Sequence, residues 1–143
     1  MERLRLPADL ASLTSFREFV ERSAAAAGAD PELLSTIGLV LEELLVNHVR
    51  HAYGSGKGDS EVACFRRAPG HFCIEVVDEA APFNPLEHAS PDLTAAPENR
   101  TPGGLGIHLV RSLADEVTYR REEGKNVVTV CFAFAPAPTR DGG

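Results

Sequence analysis

No stretch of this 143-residue chain is apolar over the roughly 20 residues that a membrane-spanning helix needs. The beginning of the chain, Met1 to Arg5, also lacks the apolar segment and the small-residue cleavage site of a secretory leader. We therefore expect a cytoplasmic protein that has no membrane partner.

Positive charge is also scarce: 14 Lys and Arg residues oppose 21 Asp and Glu residues, which gives a formal net charge of −7. This balance argues against a protein that binds nucleic acid directly through a general basic surface. The hydrophobic share of 43% and the charged share of 24% are ordinary for a globular protein. Because no repeat or linker divides the chain, we expect a single domain over residues 1–135 and a loose tail over residues 136–143.

Cysteine is infrequent, and no two cysteines have the Cys-x-x-Cys spacing of a zinc site or a redox motif. The three cysteines, Cys64, Cys73 and Cys131, each lie in an apolar run with the composition of a strand. This placement predicts small, buried and reduced thiols that pack in the core.

Cap and turn residues divide the chain into the order strand, helix, helix, strand, strand, long loop, helix, strand, strand. Asp30-Pro31-Glu32 predicts a helix start, and Pro69-Gly70 predicts a turn between two strands. Hairpins rather than crossover helices link the strands, so the pattern favours an α/β (α+β) two-layer sandwich, with a mixed, mostly antiparallel sheet covered on one face by helices. The first predicted helix is capped by Asp9 or Ser12 and runs to about residue 27, and the other two span residues 31–53 and 107–114. The predicted strands span 3–6, 61–67, 72–78, 117–121 and 127–134.

The second predicted helix carries a polar strip on a surface that is otherwise apolar. Glu43, Asn47 and His51 recur at every fourth residue, which places them along one side of the helix over about two turns. A carboxylate in this position can accept a proton, and an amide oxygen one turn away can bind Mg²⁺. Taken alone, the pair also fits an ordinary polar pair on a helix surface.

Two further signals lie at the ends of predicted elements. Asp78 closes a predicted strand, where it is either a turn residue or an acceptor for the exocyclic amine of a base. Gly103-Gly104-Leu105-Gly106 precedes a predicted helix, where close backbone approach and free amides favour an anion. The glycines match neither a Walker A motif nor the full dinucleotide-binding spacing, so those folds are disfavoured.

In combination, these motifs resemble the anti-sigma-factor serine/threonine kinases. That family is a branch of the histidine-kinase-like ATPase superfamily, which also includes gyrase B, the Hsp90 chaperone and MutL. The resemblance rests on Glu42–Tyr53, on Val76–Asp78 with Pro82–Pro85, and on Gly103–Arg111. It implies the histidine-kinase-like ATPase (Bergerat) fold, binding of ATP and Mg²⁺, and phosphorylation of a protein on Ser or Thr.

The resemblance also assigns roles to individual residues. Glu43 matches the catalytic carboxylate, Asn47 the Mg²⁺ ligand and Asp78 the acid that recognises adenine. His51 matches a residue near the phosphates, and Arg100 matches a lid arginine that stabilises phosphate charge. Gly104 and Gly106 match the glycines of the phosphate lid, and Thr129 matches a threonine near adenine. The implied partners are a sigma factor that is held inactive, a small antagonist that is phosphorylated, and a second copy of the chain in a homodimer.

Three positions depart from the family pattern, and one of them is Asn84, which replaces the usual Asp after Pro-Phe and removes one lid charge. Ala80 replaces the usual glycine near the adenine-binding acid, and its methyl group can crowd the nucleotide or oppose a positive φ. His48 replaces a small residue after Asn47, and its helical angle predicts a core or interface histidine rather than a ligand. An active kinase and a nucleotide-responsive binding module without useful catalysis are therefore both retained, whereas a detached histidine-kinase domain is disfavoured because no phosphoacceptor hairpin is present.

Overall fold

The structure is a computed structural model that describes residues 1–51, 58–87 and 104–135. The predicted tail over residues 136–143 and most of the predicted long loop lie outside these ranges. No helix in the described ranges is long and apolar enough to cross a membrane. The described helices are α1 (Leu13–Ala26), α2 (Pro31–His51) and α3 (Gly104–Leu113), and the described strands are β1 (Glu2–Pro7), β2 (Asp59–Ala68), β3 (His71–Asp78), β4 (Glu116–Glu122) and β5 (Lys125–Ala133).

Local cap chemistry explains where the first two helices end and begin. Asp30 is the cap of α2, because its Oδ1 accepts a hydrogen bond from the amide of Leu33 at 2.8 Å. Gly28 follows α1 with a φ of 104°, a left-handed conformation that glycine adopts without steric cost. Asp9 caps a short 3₁₀ turn at Leu10–Ser12 that leads into α1. The cap and stop signals in the sequence therefore predict these boundaries well.

The five strands form one sheet in the order β1-β2-β3-β5-β4, and every neighbouring pair is antiparallel. The last strand therefore lies between β3 and β4. Its register places Asn126 directly opposite Asp78, which closes β3. As a result, two polar residues that are 48 positions apart in the chain meet where the end of β3 pairs with the beginning of β5.

The core lies between one face of the sheet and the three helices. Alternate strand residues point to this face, and each helix contributes its apolar side. The predicted two-layer sandwich is confirmed, and the apolar positions predicted for the second helix, such as Ile37 and Leu44, are buried in it. The largest fully buried side chains of the core include Phe16, Val20, Ile37, Leu41, Val62, Phe72, Ile74, Val110, Val130 and Phe132.

The prediction of three reduced cysteines is wrong for two of them. Cys73 and Cys131 face each other across β3 and β5 and form a disulfide, with their Cα atoms 4.1 Å apart. Only Cys64 is a free thiol, and burial raises its pKa to about 12, which makes it a poor nucleophile. The sequence did not indicate the pair, because 58 residues separate the two cysteines and only the strand order brings them together.

Reduction of the disulfide should lower the free energy of unfolding by about 2–4 kcal/mol, because the unfolded chain regains the freedom of a long loop. Urea unfolding of the wild type with and without dithiothreitol measures this difference. The double variant Cys73→Ala/Cys131→Ala is the matched control, and its unfolding midpoint should not respond to the reductant. Equal midpoints for the oxidised and reduced wild type would contradict the prediction.

Candidate functional site

The polar strip of α2 runs along the helix beside one end of the sheet. Glu43 and Asn47 lie one turn apart, and both side chains are partly exposed. Asn47 lines a cavity between α2 and the sheet. His51 is the last residue of α2, and its side chain lies outside the described part of the structure. Of the predicted strip, Asn47 is therefore placed at the cavity, and Glu43 lies one turn before it on the same helix.

Asp78 is buried at the end of β3, with 7% of its surface exposed. Its Oδ1 accepts two hydrogen bonds at 2.8 Å, one from the backbone amide of Ala80 and one from Nδ2 of Asn126. Its Oδ2 contacts Nε2 of His48, a residue that projects from α2. The carboxylate thus has donors on both oxygens, as a buried charge requires.

His48 connects Asp78 to β2. Its Nδ1 lies 3.0 Å from the hydroxyl of Ser60, which is 1% exposed. Because a carboxylate can only accept, Nε2 carries the proton that faces Asp78, and Nδ1 of a neutral ring accepts from Ser60. His48 is buried in the core sector as its helical angle predicts, but it also contacts the predicted adenine-binding acid, which sequence reasoning missed.

Asn126 is held in one orientation by its neighbours. Its Oδ1 accepts hydrogen bonds from the Phe83 amide at 3.1 Å and from the Tyr119 hydroxyl at 2.6 Å. Its Nδ2 is therefore turned toward Asp78 and also donates to the carbonyl of Ala81 at 3.0 Å. No pattern in the sequence singled out Asn126, because its role depends on the pairing of β3 with β5.

The electrostatics of Asp78 reflect a balance between burial and these donors. Burial raises the pKa of this carboxyl group, because desolvation disfavours its charged form. The hydrogen bond and the charge of His48, together with the donors from Asn126 and Ala80, lower the pKa by more. The net result is a pKa below the ordinary value, so Asp78 is an anion at neutral pH.

Asp78, His48 and Asn126 line a small cavity between α2 and the sheet, whose empty volume of about 370 Å³ includes space that is open to solvent. Its walls are apolar side chains with a few convergent polar groups, the pattern expected of a ligand pocket. The Asp78 carboxylate at this cavity is an acceptor to which the amino group of a ligand could donate. The lining residues are Leu44, Asn47, His48, Val76, Asp78, Phe83, Pro85, Asn126 and Val128.

Ala80 does not strain the backbone at this site. In the described residues, the only non-glycine position with a positive φ is Glu123, so the conformation at Ala80 does not require glycine. The amide of Ala80 instead completes a tight turn by donating to Asp78, and its carbonyl accepts from Arg121 Nη1 at 2.7 Å. The predicted conflict between Ala80 and a positive φ is therefore absent from this structure.

Thr129 is not brought to the cavity. Asn126, Val128 and Val130 face the helices, since Asn126 and Val128 line the cavity and Val128 and Val130 belong to the core. Side chains alternate along a strand, so Thr129 lies on the opposite face of the sheet. The strand position predicted for a residue near adenine is therefore taken by Asn126.

The predicted phosphate-binding glycines lie in the first turn of α3 rather than in a loop before it. Gly104 is the first residue of α3 and Gly106 the third, so the helix begins three residues earlier than predicted. Their backbone amides belong to the helix end that attracts anions. Arg100, the predicted lid arginine, lies outside the described residues.

The donors on α2 suit Mg²⁺ held together with phosphates. Within the described ranges, no group of three or more His, Cys, Asp or Glu side chains is placed to hold a metal ion. Mg²⁺ in nucleotide sites commonly uses one or two protein oxygens and completes its shell with waters and phosphate oxygens. The amide oxygen of Asn47 at the cavity edge is compatible with that arrangement.

Comparison with known proteins places this chain in a family and gives it named relatives. The family model described as "Histidine kinase-like ATPase domain" matches residues 6–132. The serine/threonine-protein kinase BtrW of Bordetella bronchiseptica is 29% identical over 101 residues, which are 71% of each chain. The serine-protein kinase RsbW of Staphylococcus epidermidis is 29% identical over 138 residues, which cover 90% of this chain and 84% of that protein.

Solved structures show the same fold. The structure of the RsbU and RsbW domains of a Mycobacterium tuberculosis protein superposes with a TM-score of 0.64 and 19% identity, covering 98% of this chain. This chain spans only 34% of that larger polypeptide. The mycobacterial sensor histidine kinase MprB gives a TM-score of 0.52 at 15% identity, covering 92% of this chain and all of that chain.

Proposed function

Because this chain belongs to the histidine kinase-like ATPase domain family, we propose that it is an ATP-binding, anti-sigma-type regulatory protein serine/threonine kinase. The observation that carries the proposal is the placement of the buried Asp78 carboxylate in an apolar cavity whose edge is formed by Asn47. The relatives named as serine or serine/threonine protein kinases support the choice of reaction. The proposed unit is one ATPase domain over residues 1–135 in the cytoplasm.

In this proposal the cavity receives the adenine base and α2 runs toward the phosphates. Asp78 accepts a hydrogen bond from the amino group of adenine, and Ala80 and Asn126 support it. Asn47 binds Mg²⁺, which supplies charge neutralisation at the phosphates. The residues proposed to contact or stabilise the phosphates are His51, Arg100, Gly104 and Gly106, as the resemblance implies.

Glu43 is the proposed catalytic carboxylate. It accepts the proton of a Ser or Thr hydroxyl on the protein substrate as that oxygen forms a bond to the γ-phosphorus of ATP. The bond between the γ-phosphorus and its bridging oxygen breaks, and its electron pair leaves with ADP. The products are a phosphorylated protein, ADP and a protonated Glu43, which then loses its proton to solvent.

The proposed partners follow from the resemblance. One is a sigma factor that the protein binds and holds inactive, and the other is a small antagonist protein that it phosphorylates on Ser or Thr. A homodimer is the proposed assembly.

A second candidate function is a nucleotide-responsive binding module without useful catalysis. The observation that favours it is the occupation of Asp78 by groups of the protein itself, namely His48, Asn126 and the amide of Ala80. Such a module would use the cavity to sense nucleotide and would regulate its partner by binding alone.

Titration calorimetry with Mg-ATP tests whether the site exists. The wild type should bind in the micromolar range, and Asn47→Ala should weaken binding by about tenfold or more, which corresponds to about 1.4 kcal/mol. Thr36→Ala is a matched control, because Thr36 lies on the same helix outside the cavity lining and its exposed hydroxyl donates to the Glu32 carbonyl. Absence of binding by a folded wild type would contradict the proposed function.

A further inference from the structure

We propose that His48 is a positioning residue for base recognition, which fixes Asp78 so that a single acceptor position on its Oδ2 remains for an exocyclic amino group. The inference rests on the proposed function, because it concerns the base in the same cavity. It adds a residue that the family pattern does not supply, since the pattern has a small residue where this chain has His48.

Counting hydrogen bonds on the carboxylate leads to this assignment. Two carboxylate oxygens offer about four acceptor positions in total. The amide of Ala80 and Nδ2 of Asn126 fill both positions on Oδ1 of Asp78, and Nε2 of His48 fills one of the two on Oδ2. As far as the described residues go, one position on Oδ2 is therefore left for a ligand in the cavity that Asp78 lines.

His48 is itself held firmly enough to fix the carboxylate. Its ring is buried, and Ser60, which is 1% exposed at the beginning of β2, contacts the opposite nitrogen at 3.0 Å. The contacts from Ser60 to His48 and from His48 to Asp78 therefore link β2, α2 and β3. Rotation of Asp78 would break the contact with His48 as well as the bonds to Ala80 and Asn126.

The position of His48 on α2 also connects the two ends of the proposed nucleotide site. It directly follows Asn47, and α2 continues through both residues without interruption. The same helical turn thus presents the proposed Mg²⁺ ligand and the group that orients the base-reading acid. A shift of α2 would move both together.

The Ser–His–Asp chain superficially matches a hydrolytic triad, but its burial argues against that chemistry. A nucleophilic hydroxyl must be reachable by its substrate. Ser60 is 1% exposed on the core face of the sheet, so no substrate carbonyl can approach it. The contacts among Ser60, His48 and Asp78 are therefore suited to orienting Asp78 rather than to attack on a substrate.

The discrimination between Mg-ATP and Mg-ITP is the measurement that tests this role, because inosine carries a carbonyl oxygen where adenine carries the amino group. A fixed, ionised Asp78 accepts from the amino group and repels the carbonyl oxygen. Loss of the His48 donor removes the contact that fixes Oδ2, so the carboxylate can turn away from the position that accepts from the amino group. It also removes one cause that lowers the pKa of Asp78, while the donors from Asn126 and Ala80 remain. The ratio of the two affinities should therefore fall.

The experiment compares both nucleotides by calorimetry for wild type, His48→Leu and His48→Gln. We expect His48→Leu to reduce the ATP-to-ITP affinity ratio by about tenfold, and His48→Gln, whose amide nitrogen can still donate, to retain most of it. His71→Gln, at the exposed start of β3, is the control and should keep the wild-type ratio. Ser60→Ala should reduce the ratio by about threefold and is the deciding variant if circular dichroism shows that His48→Leu is unfolded.

The outcomes separate the two proposals. A wild type that binds Mg-ATP, together with His48 and Ser60 variants that weaken both nucleotides equally, would overturn the positioning role and leave the proposed function standing. A folded wild type that binds neither nucleotide would overturn the proposed function and this inference with it. A selective loss of the ATP preference that His48→Gln restores would establish the role of His48.

Discussion

Replacing Glu43 with glutamine should slow phosphoryl transfer to the antagonist by about 10²–10⁴-fold and leave the affinity for Mg-ATP close to that of the wild type. Glutamine keeps the size of the side chain but cannot accept the proton of the attacking hydroxyl. The nucleotide should still bind, because the proposed binding contacts come from Asp78 and Asn47. Single-turnover transfer from radiolabelled ATP to the purified cognate antagonist measures the rate, and calorimetry measures the affinity.

The neighbouring acid provides a matched control for Glu43. Glu42 precedes it on α2, but its carboxylate pairs with Arg17 of α1 at 3.2 Å on a partly exposed surface. Glu42→Gln should therefore keep the wild-type transfer rate. Equal transfer by Glu43→Gln and the wild type would exclude Glu43 as the base. If the folded wild type leaves the antagonist unphosphorylated while a positive control works, the binding-module function is favoured.

Replacing Asp78 with alanine should lower the free energy of unfolding by about 3–5 kcal/mol, because several buried donors lose their acceptor and each unsatisfied group costs about 1–3 kcal/mol. His48 would lose its acceptor inside the core, and the donors of Ala80 and Asn126 would lose theirs. Urea unfolding measures this effect. Mg-ATP binding should be lost together with the stability, because the same carboxylate is proposed to recognise the base.

An exposed carboxylate provides the control for Asp78. Asp115 also accepts a hydrogen bond from a backbone amide, that of Ala133 at 2.7 Å, but it lies on the exposed surface, so Asp115→Ala should lower the free energy of unfolding by only about 1 kcal/mol.

The contribution of Asp78 to stability should also depend on pH. Because its pKa in the folded protein is lowered, the ionised carboxylate stabilises the fold at pH values above the ordinary pKa of 3.8, and this contribution is lost as the pH falls through the folded pKa. The stability difference between wild type and Asp78→Asn should therefore shrink below about pH 4. A difference that stays constant from pH 6 to pH 2.5 would contradict this origin.

The features that depend on near neighbours in the sequence were predictable. Asp30 and Pro31 start α2, Gly28 ends α1, and the spacing of Glu43 and Asn47 fixes their common side of the helix, because each effect acts within one or two helical turns. The end of the strand at Asp78 followed from the change from an apolar run to a Pro-containing segment. The same local rules gave the order of the elements and the two-layer arrangement.

Only the tertiary structure decided which distant residues meet. The placement of β5 between β3 and β4 brings Asn126 to Asp78 and joins Cys73 to Cys131, and no local pattern encodes that strand order. Strand alternation also decided against Thr129, because a shift of one residue moves a side chain to the other face of the sheet. The sequence by itself therefore determined the helices, the strands and the places of Glu43 and Asp78 on them, since these depend on short-range sterics and hydrogen bonds. The His48–Asp78–Asn126 network was decided by long-range packing, which sets distances between residues 30 or more positions apart.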